Sequence, residues 1–303
     1  MRVRDVAVVA VIVVAVTACS PSDRPGGTTD DDVITVASFD FDESELIAEL
    51  YVGALRHAGF DVDHARRVGS REIVLPSLER GLIEVVPEYA GSAVEFLGGR
   101  ATADPGSSNA TLRTLLQARG IDALAPAPAQ SRNGLVVAPE TAAALALRSV
   151  SDLRGVASEM TLGGPPECPD RDLCIPGFDD VYGITFASFL PLDAGGPITA
   201  EAVARGTVDV GVLFTSDGSL AAPDLVLLRD DRRLQPAENV TPLVHDDAVS
   251  RFGPSLTDAL KAVSTELTTT ELRELNSKVR EGENVRQVAA RWLREHGLAG
   301  QPG

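Results

Sequence analysis

Three cysteines are the residues of this chain whose type and spacing first point to chemistry. Cys19 follows Arg2 and Arg4, the aliphatic run from Val6 to Val16, and the small residues Thr17 and Ala18. A positive start, a short apolar run and small residues before a thiol form the order of a bacterial lipoprotein signal. On that reading residues 1–18 are removed and Cys19 is acylated. The run falls short of the roughly 20 apolar residues that span a bilayer. An ordinary leader with a chance cysteine, or a short membrane anchor, are the alternatives. Lipidation at Cys19 places the chain on the extracytoplasmic face of the cell membrane, held there by its N-terminal lipid. Cys168 and Cys174 remain as a pair in a proline-flanked segment. In an oxidising compartment they read as a disulfide, with two free thiols as the alternative.

No other grouping carries reactive chemistry. The sequence lacks a phosphate-binding glycine loop, a nucleophile elbow, a zinc-protease helix and a calcium loop. His57, His64, His245 and His296 are scattered without ligand spacing and read as surface histidines. Ser216-Asp217-Gly218 reads as a turn rather than a nucleophile site. No catalysis, metal or cofactor is therefore expected. The formal charge is −17, and losing Arg2, Arg4 and Asp5 with the leader moves it to about −18. Such a surface repels nucleic acid, which is excluded as a partner. With 44% apolar but only 4% aromatic residues, the core must be built from Val, Leu, Ala and Ile.

The elements that position these residues follow from periodicity. Residues 19–32 are polar and glycine-rich and read as a tether. Strands are expected at 33–37, 61–68 and 83–86, the last closed by Pro87, with helices at 44–58 and 71–80 between them. Further strands fall at 134–138, 160–162, 208–214 and 225–228, with helices near 141–147 and 199–205. Residues 254–296 are strongly helical, with Asn284 as N-cap of the last helix, and 102–108 and 163–169 read as loops. This α/β rhythm argues for mostly parallel sheets flanked by helices.

Several segments then resemble one family in the same order. They are residues 34–43; Gly69 to Glu72 followed by Gly81 to Ser92; Pro176 to Gly183; Gly206 to Gly218; and Asp230 to Pro236. Together they resemble the osmoprotectant (glycine betaine, choline, carnitine) substrate-binding proteins of ABC importers, over residues 33–295. The resemblance implies a two-lobed type II periplasmic-binding-protein fold with a ligand cleft between lobes. Residues 33–130 with 236–303 would form lobe 1, and 131–235 lobe 2. It further implies a monomer that delivers a small-molecule solute to an ABC permease and its ATPase. A sensory or adhesive lipoprotein on the same fold is the alternative, as is an importer component retuned to a non-betaine polar solute.

The family holds a quaternary ammonium over aromatic faces and a carboxylate on an arginine. The resemblance gives Arg171, inside the cysteine loop, as the carboxylate ligand, preorganised if the disulfide forms. Tyr89 and Phe214 match cage aromatics, with Thr215 beside the second and Ser92 in place of a threonine. Asn133 and Glu238 replace two further rings, and Phe39 replaces a lysine. An amide and a carboxylate suit N–H or O–H donors better than a trimethylammonium group, so the resemblance with these departures implies a small polar or zwitterionic solute, with quaternary amines weakened rather than excluded. Glu238 pointing to solvent, with a variant cage that still binds betaine, is the alternative.

Overall fold

The computed structural model describes residues 32–193 and 195–300. The leader, Cys19 and almost all of the tether lie outside the described residues. From Val33 onward the chain forms a single compact unit built on two five-stranded sheets.

The first sheet contains β1 (Val33–Phe39), β2 (Asp61–Gly69), β3 (Val85–Tyr89), β4 (Ile121–Ala123) and, from far along the chain, the strand Val240–His245. The second contains β5 (Asn133–Val137), β6 (Thr161–Gly164), β7 (Ser188–Pro191), β8 (Val210–Phe214) and β9 (Val226–Leu227), so Val240–His245 is β10. Strand orders are β2-β1-β3-β10-β4 and β7-β6-β8-β5-β9. In each sheet two pairings are parallel and two antiparallel, more mixed than the local βαβ rhythm suggests. The reason is connectivity. β10 and β5 enter their sheets from the crossovers between sheets, so they run against the strands laid down by helical connections.

The helix Asp42–His57 begins slightly before its expected start and buries Leu46, Ile47, Leu50 and Leu55, together with Tyr51. Acidic residues fill its first turn and Arg56 and His57 its last, matching the helix dipole at both ends. Pro87 does not close the third strand, which continues to Tyr89. Pro87 faces Pro242 across the β3–β10 pairing. The Pro242 carbonyl accepts from the Leu124 N–H on the other side at 3.0 Å, so no ladder bond is lost between the two prolines. The expected loop at 102–108 is instead the start of the helix Pro105–Gln117. Asp104 caps it by accepting from the Ser107 N–H at 2.8 Å, and Pro105 occupies the first turn, where a missing N–H costs nothing.

His64 is not a surface residue. Strand parity turns it inward, where its Nδ1 lies 3.0 Å from Glu49. Burial alone would raise the Glu49 carboxyl, but His64 and Arg66 outweigh it and bring it down to about 2. His296 likewise pairs with Glu271 at 2.7 Å while stacking on Trp292, and His245 caps the helix Asp246–Phe252.

Two crossovers, residues 124–132 and 228–239, join the sheets and run side by side. Ala127 N–H donates to the Val240 carbonyl at 2.8 Å, Val240 N–H to Ala129 at 3.0 Å, and Ser131 N–H to Glu238 at 3.1 Å. A third link comes from the helix Thr269–Arg280, whose Leu272 and Leu275 belong to the core of the first sheet. Arg273 Nε donates to the Thr215 carbonyl at 2.5 Å, just beyond β8. Gly218 lies so close to this helix that a Cβ there would sit 2.5 Å from the Ser277 backbone nitrogen.

Candidate functional site

Three of the candidate residues are the last residues of their strands: Phe39 of β1, Tyr89 of β3 and Phe214 of β8. A fourth, Asn133, opens antiparallel β5 and pairs in register with Phe214. Open α/β sheets gather ligand groups at the carboxyl ends of their parallel strands, and here those ends of β3 and β8 lie next to the crossovers.

The wall from the first sheet is aromatic. Phe39 is buried and stacks on Phe41 at 6.1 Å, and Phe41 stacks on Tyr89 at 6.1 Å. Phe41, the residue capping the helix Asp42–His57, is 42% exposed and so presents a ring to solvent. Sequence reasoning did not assign it. The pattern Phe39-x-Phe41 at a strand end was the available signal. Arg71 sits 5.5 Å over the Phe39 ring and forks onto Glu88, with Nη2 3.0 Å from Oε2.

Carboxylates surround this wall. The Tyr89 hydroxyl donates to Glu43 Oε1 at 2.6 Å, and burial together with Glu43 raises its pKa well above the ordinary tyrosine value. The phenol therefore stays a donor. Glu238, on the second crossover, faces Ser92 instead of solvent. Ser92 Oγ donates to its Oε1 at 2.8 Å and Ser92 N–H to its Oε2 at 2.9 Å. Burial pushes the Glu238 carboxyl up, the Ser92 bonds pull it down and Glu88 raises it again, leaving it at about 7.

The wall from the second sheet is partly committed to the crossovers. Thr215 is buried, its hydroxyl donating to the Gln130 carbonyl at 3.2 Å and accepting from the Arg132 N–H at 3.0 Å. Ser216 Oγ lies 2.6 Å from Ser131 Oγ, and Asp217 accepts from the Ser219 N–H at 2.7 Å, so the Ser-Asp-Gly segment is a turn locked by its own side chains. Phe214 is 38% exposed. Beneath Asn133 lies a cavity of about 310 Å³, also lined by Arg132, Phe178, Asp230 and Gln235.

Cys168 and Cys174 form a disulfide with Cα atoms 5.2 Å apart, and both are buried. Arg171 projects from this loop as an exposed side chain outside the cavity lining, with no hydrogen bond or ion pair of its guanidinium among the described residues. The structure thus brings Phe39, Tyr89, Ser92 and Glu238 together on one wall and pairs Asn133 with Phe214 on the other. Arg171 is exposed and does not line the cavity. Among the described residues no cluster of metal-ligating side chains occurs, and no helix is long and apolar enough to cross a membrane.

Residues 32–295 match the family described as the substrate binding domain of ABC-type glycine betaine transport systems. The chain belongs to that family. It is 26% identical over 295 residues to a glycine-betaine-binding protein of Pseudomonas aeruginosa, covering 91% of this chain and 94% of that one. It is also 26% identical over 271 residues to the glycine betaine-binding protein YehZ of Escherichia coli, covering 84% and 88%. The solved apo YehZ superimposes with a TM-score of 0.75 at 25% identity, over 88% of this chain and 99% of that chain. A glycine betaine/carnitine/choline ABC transporter structure superimposes with a TM-score of 0.82 at 21% identity, over 88% and 99%, a likeness of fold. Members of this family are extracytoplasmic substrate-binding components of ABC importers.

Proposed function

We propose that the cleft takes a small zwitterionic or quaternary-amine solute of the osmoprotectant class and delivers it to an ABC permease and its ATPase. The observation that carries this reading is the stack Phe39–Phe41–Tyr89 at the strand ends, with Phe41 open to solvent and Glu43 bonded to the Tyr89 hydroxyl. Ring faces backed by carboxylates attract an alkylammonium group without needing a hydrogen bond from it. Phe214 is proposed to close on the same group from the second lobe. Lobe 1 is taken as residues 33–130 with 236–303 and lobe 2 as 131–235. Arg171 is proposed to reach the solute's carboxylate only when the lobes approach, since it is exposed in this conformation. Lipidation at Cys19, a monomeric state and the absence of catalysis complete the proposal.

A second reading has support of its own. Glu238 and Asn133 stand where rings would complete a cage, and both accept hydrogen bonds that a trimethylammonium group cannot donate. Solutes with N–H or O–H donors would profit from them. A thermal-shift screen against betaine, choline, carnitine, ectoine, amino acids and polyamines separates the two, because a ligand of the folded state raises the melting temperature by mass action. A rise with betaine or carnitine supports the osmoprotectant reading. A rise confined to donor-bearing solutes supports the retuned cleft, and no rise with any of them overturns both.

A further inference from the structure

The cavity beneath Asn133 is cationic in a chain whose formal charge is −17. Arg132 and Arg229 line it, and Asp230 is its acidic member. That carboxylate is already filled by donors of its own lobe. It accepts from the Tyr182 hydroxyl, from the Leu234 N–H at 3.0 Å and from the Gln235 N–H at 2.8 Å. The Gln235 amide is turned away to the Leu173 carbonyl at 2.8 Å. Among the described residues no side chain of the cavity lining bonds the Arg132 guanidinium.

Arg132 itself is held by its backbone and left open at its side chain. Its N–H donates to Thr215 Oγ1 at 3.0 Å and its carbonyl accepts from the Thr215 N–H at 2.7 Å. Its Nε is buried without a hydrogen-bond partner, and the guanidinium has no ion pair among the described residues. A buried donor left unmade is costly, and a guanidinium fork is matched best by a carboxylate. The cavity shares Asn133 and Thr215 with the candidate cage, and Asn133 pairs with Phe214, so this site continues the solute cleft.

We propose that Arg132 is an anion-binding residue of the cleft and that the cavity takes the carboxylate of a zwitterionic or anionic organic solute. The inference rests on the cleft being the solute site, and it adds to Arg171 a guanidinium already in place before the lobes move. Clamping of its backbone on both sides lowers the ordering cost of binding. A solute carrying a carboxylate is thereby selected over an alcohol of the same shape.

The test uses the purified full chain with acetate as probe, replacing chloride at constant ionic strength. Acetate raises the melting temperature of the wild type. Arg132→Gln loses that rise while melting normally in chloride, and Arg132→Lys keeps part of it, because a lysine restores charge without the fork. Arg171→Gln keeps the rise. In calorimetry Arg132→Gln weakens glycine betaine by about tenfold and choline, which lacks the carboxylate, by less than about threefold. An absent rise in the wild type, or a rise undiminished in Arg132→Gln, overturns the proposal. Should Arg132→Gln fail to fold, an undiminished rise in Arg132→Lys overturns it and a reduced one supports it. An Arg132-dependent acetate rise without binding of betaine, choline or carnitine supports the anion site and overturns the osmoprotectant reading. Betaine binding indifferent to Arg132 does the reverse.

Discussion

Ser92 holds Glu238 with both its hydroxyl and its backbone N–H, at 2.8 and 2.9 Å, and so ties the second crossover to the first turn after β3. Gly91 makes the approach possible. A Cβ there would sit 2.9 Å from the Glu238 carboxyl and from the Ala237 carbonyl oxygen. The Glu238 carboxyl is raised by burial, lowered by Ser92, raised by Glu88 and lowered by Arg71, settling at about 7. Its folded value lies above the ordinary 4.5, so the folded state binds this proton more tightly than the unfolded chain. The stabilisation is complete below the ordinary value and is lost as pH rises through about 7. Melting temperature should therefore fall between about pH 5 and pH 8, and Glu238→Gln should flatten that slope. An unchanged slope in the variant would assign the pH dependence to another group.

Tyr89 contributes a ring and a hydroxyl separately. Tyr89→Phe removes the bond to Glu43 and should cost about 1.5–3 kcal/mol in denaturant unfolding, the range for a hydrogen bond to a charged group. Because the ring remains, betaine affinity should change little. Tyr89→Ala should weaken it by about tenfold or more, in line with the loss of a desolvated cation–π contact. Equal losses in both variants would mean that the hydroxyl rather than the ring holds the solute.

Asn276 links the two halves of the molecule. Its amide donates to Glu43 Oε2 at 2.5 Å and to the Ser216 carbonyl at 2.9 Å. Asn276→Ala should destabilise by about 1–2 kcal/mol and loosen the contact between the turn after β8 and the helix Thr269–Arg280. Hydrogen exchange at residues 215–221 is the direct measurement, with faster exchange in the variant. Unaltered exchange there would show that Gly218 packing and Arg273 suffice.

The disulfide closes a short loop, its cysteines being 6 residues apart in sequence. The chain-entropy argument gives about 2 kcal/mol for a loop of that size, so Cys168→Ser with Cys174→Ser should lower stability by about that amount. Betaine affinity should fall as well, since Arg171 loses its fixed mounting. Stability falling without any change in affinity would separate Arg171 from the solute.

The local elements were largely legible because their residues declare them within a few positions. Leu46, Ile47, Leu50 and Leu55 mark one helix face, and Asn284 does cap the last helix, accepting from the Arg286 and Gln287 N–H groups. Tyr89 and Phe214, expected in the cage from the segments around them, both stand at strand ends. Two local signals misled. Pro87 reads as a stop but sits opposite a second proline, and Thr102 to Ser108 reads as a loop although Asp104 and Pro105 start a helix there.

The sequence by itself determined many of the strands and helices, where the cysteine pair lies and which family the chain resembles, because each of these is encoded by residue types at short separation. Only the tertiary structure decided that Phe41 joins Phe39 and Tyr89, that Glu238 meets Ser92 across 146 positions, and that Asn276 reaches Glu43 across 233. It also decided that the Arg132 Nε is buried without a hydrogen-bond partner. Pairing and its absence depend on which other side chains arrive at the same place. That arrival is fixed by sheet order and the paired crossovers, which no local pattern of residues records.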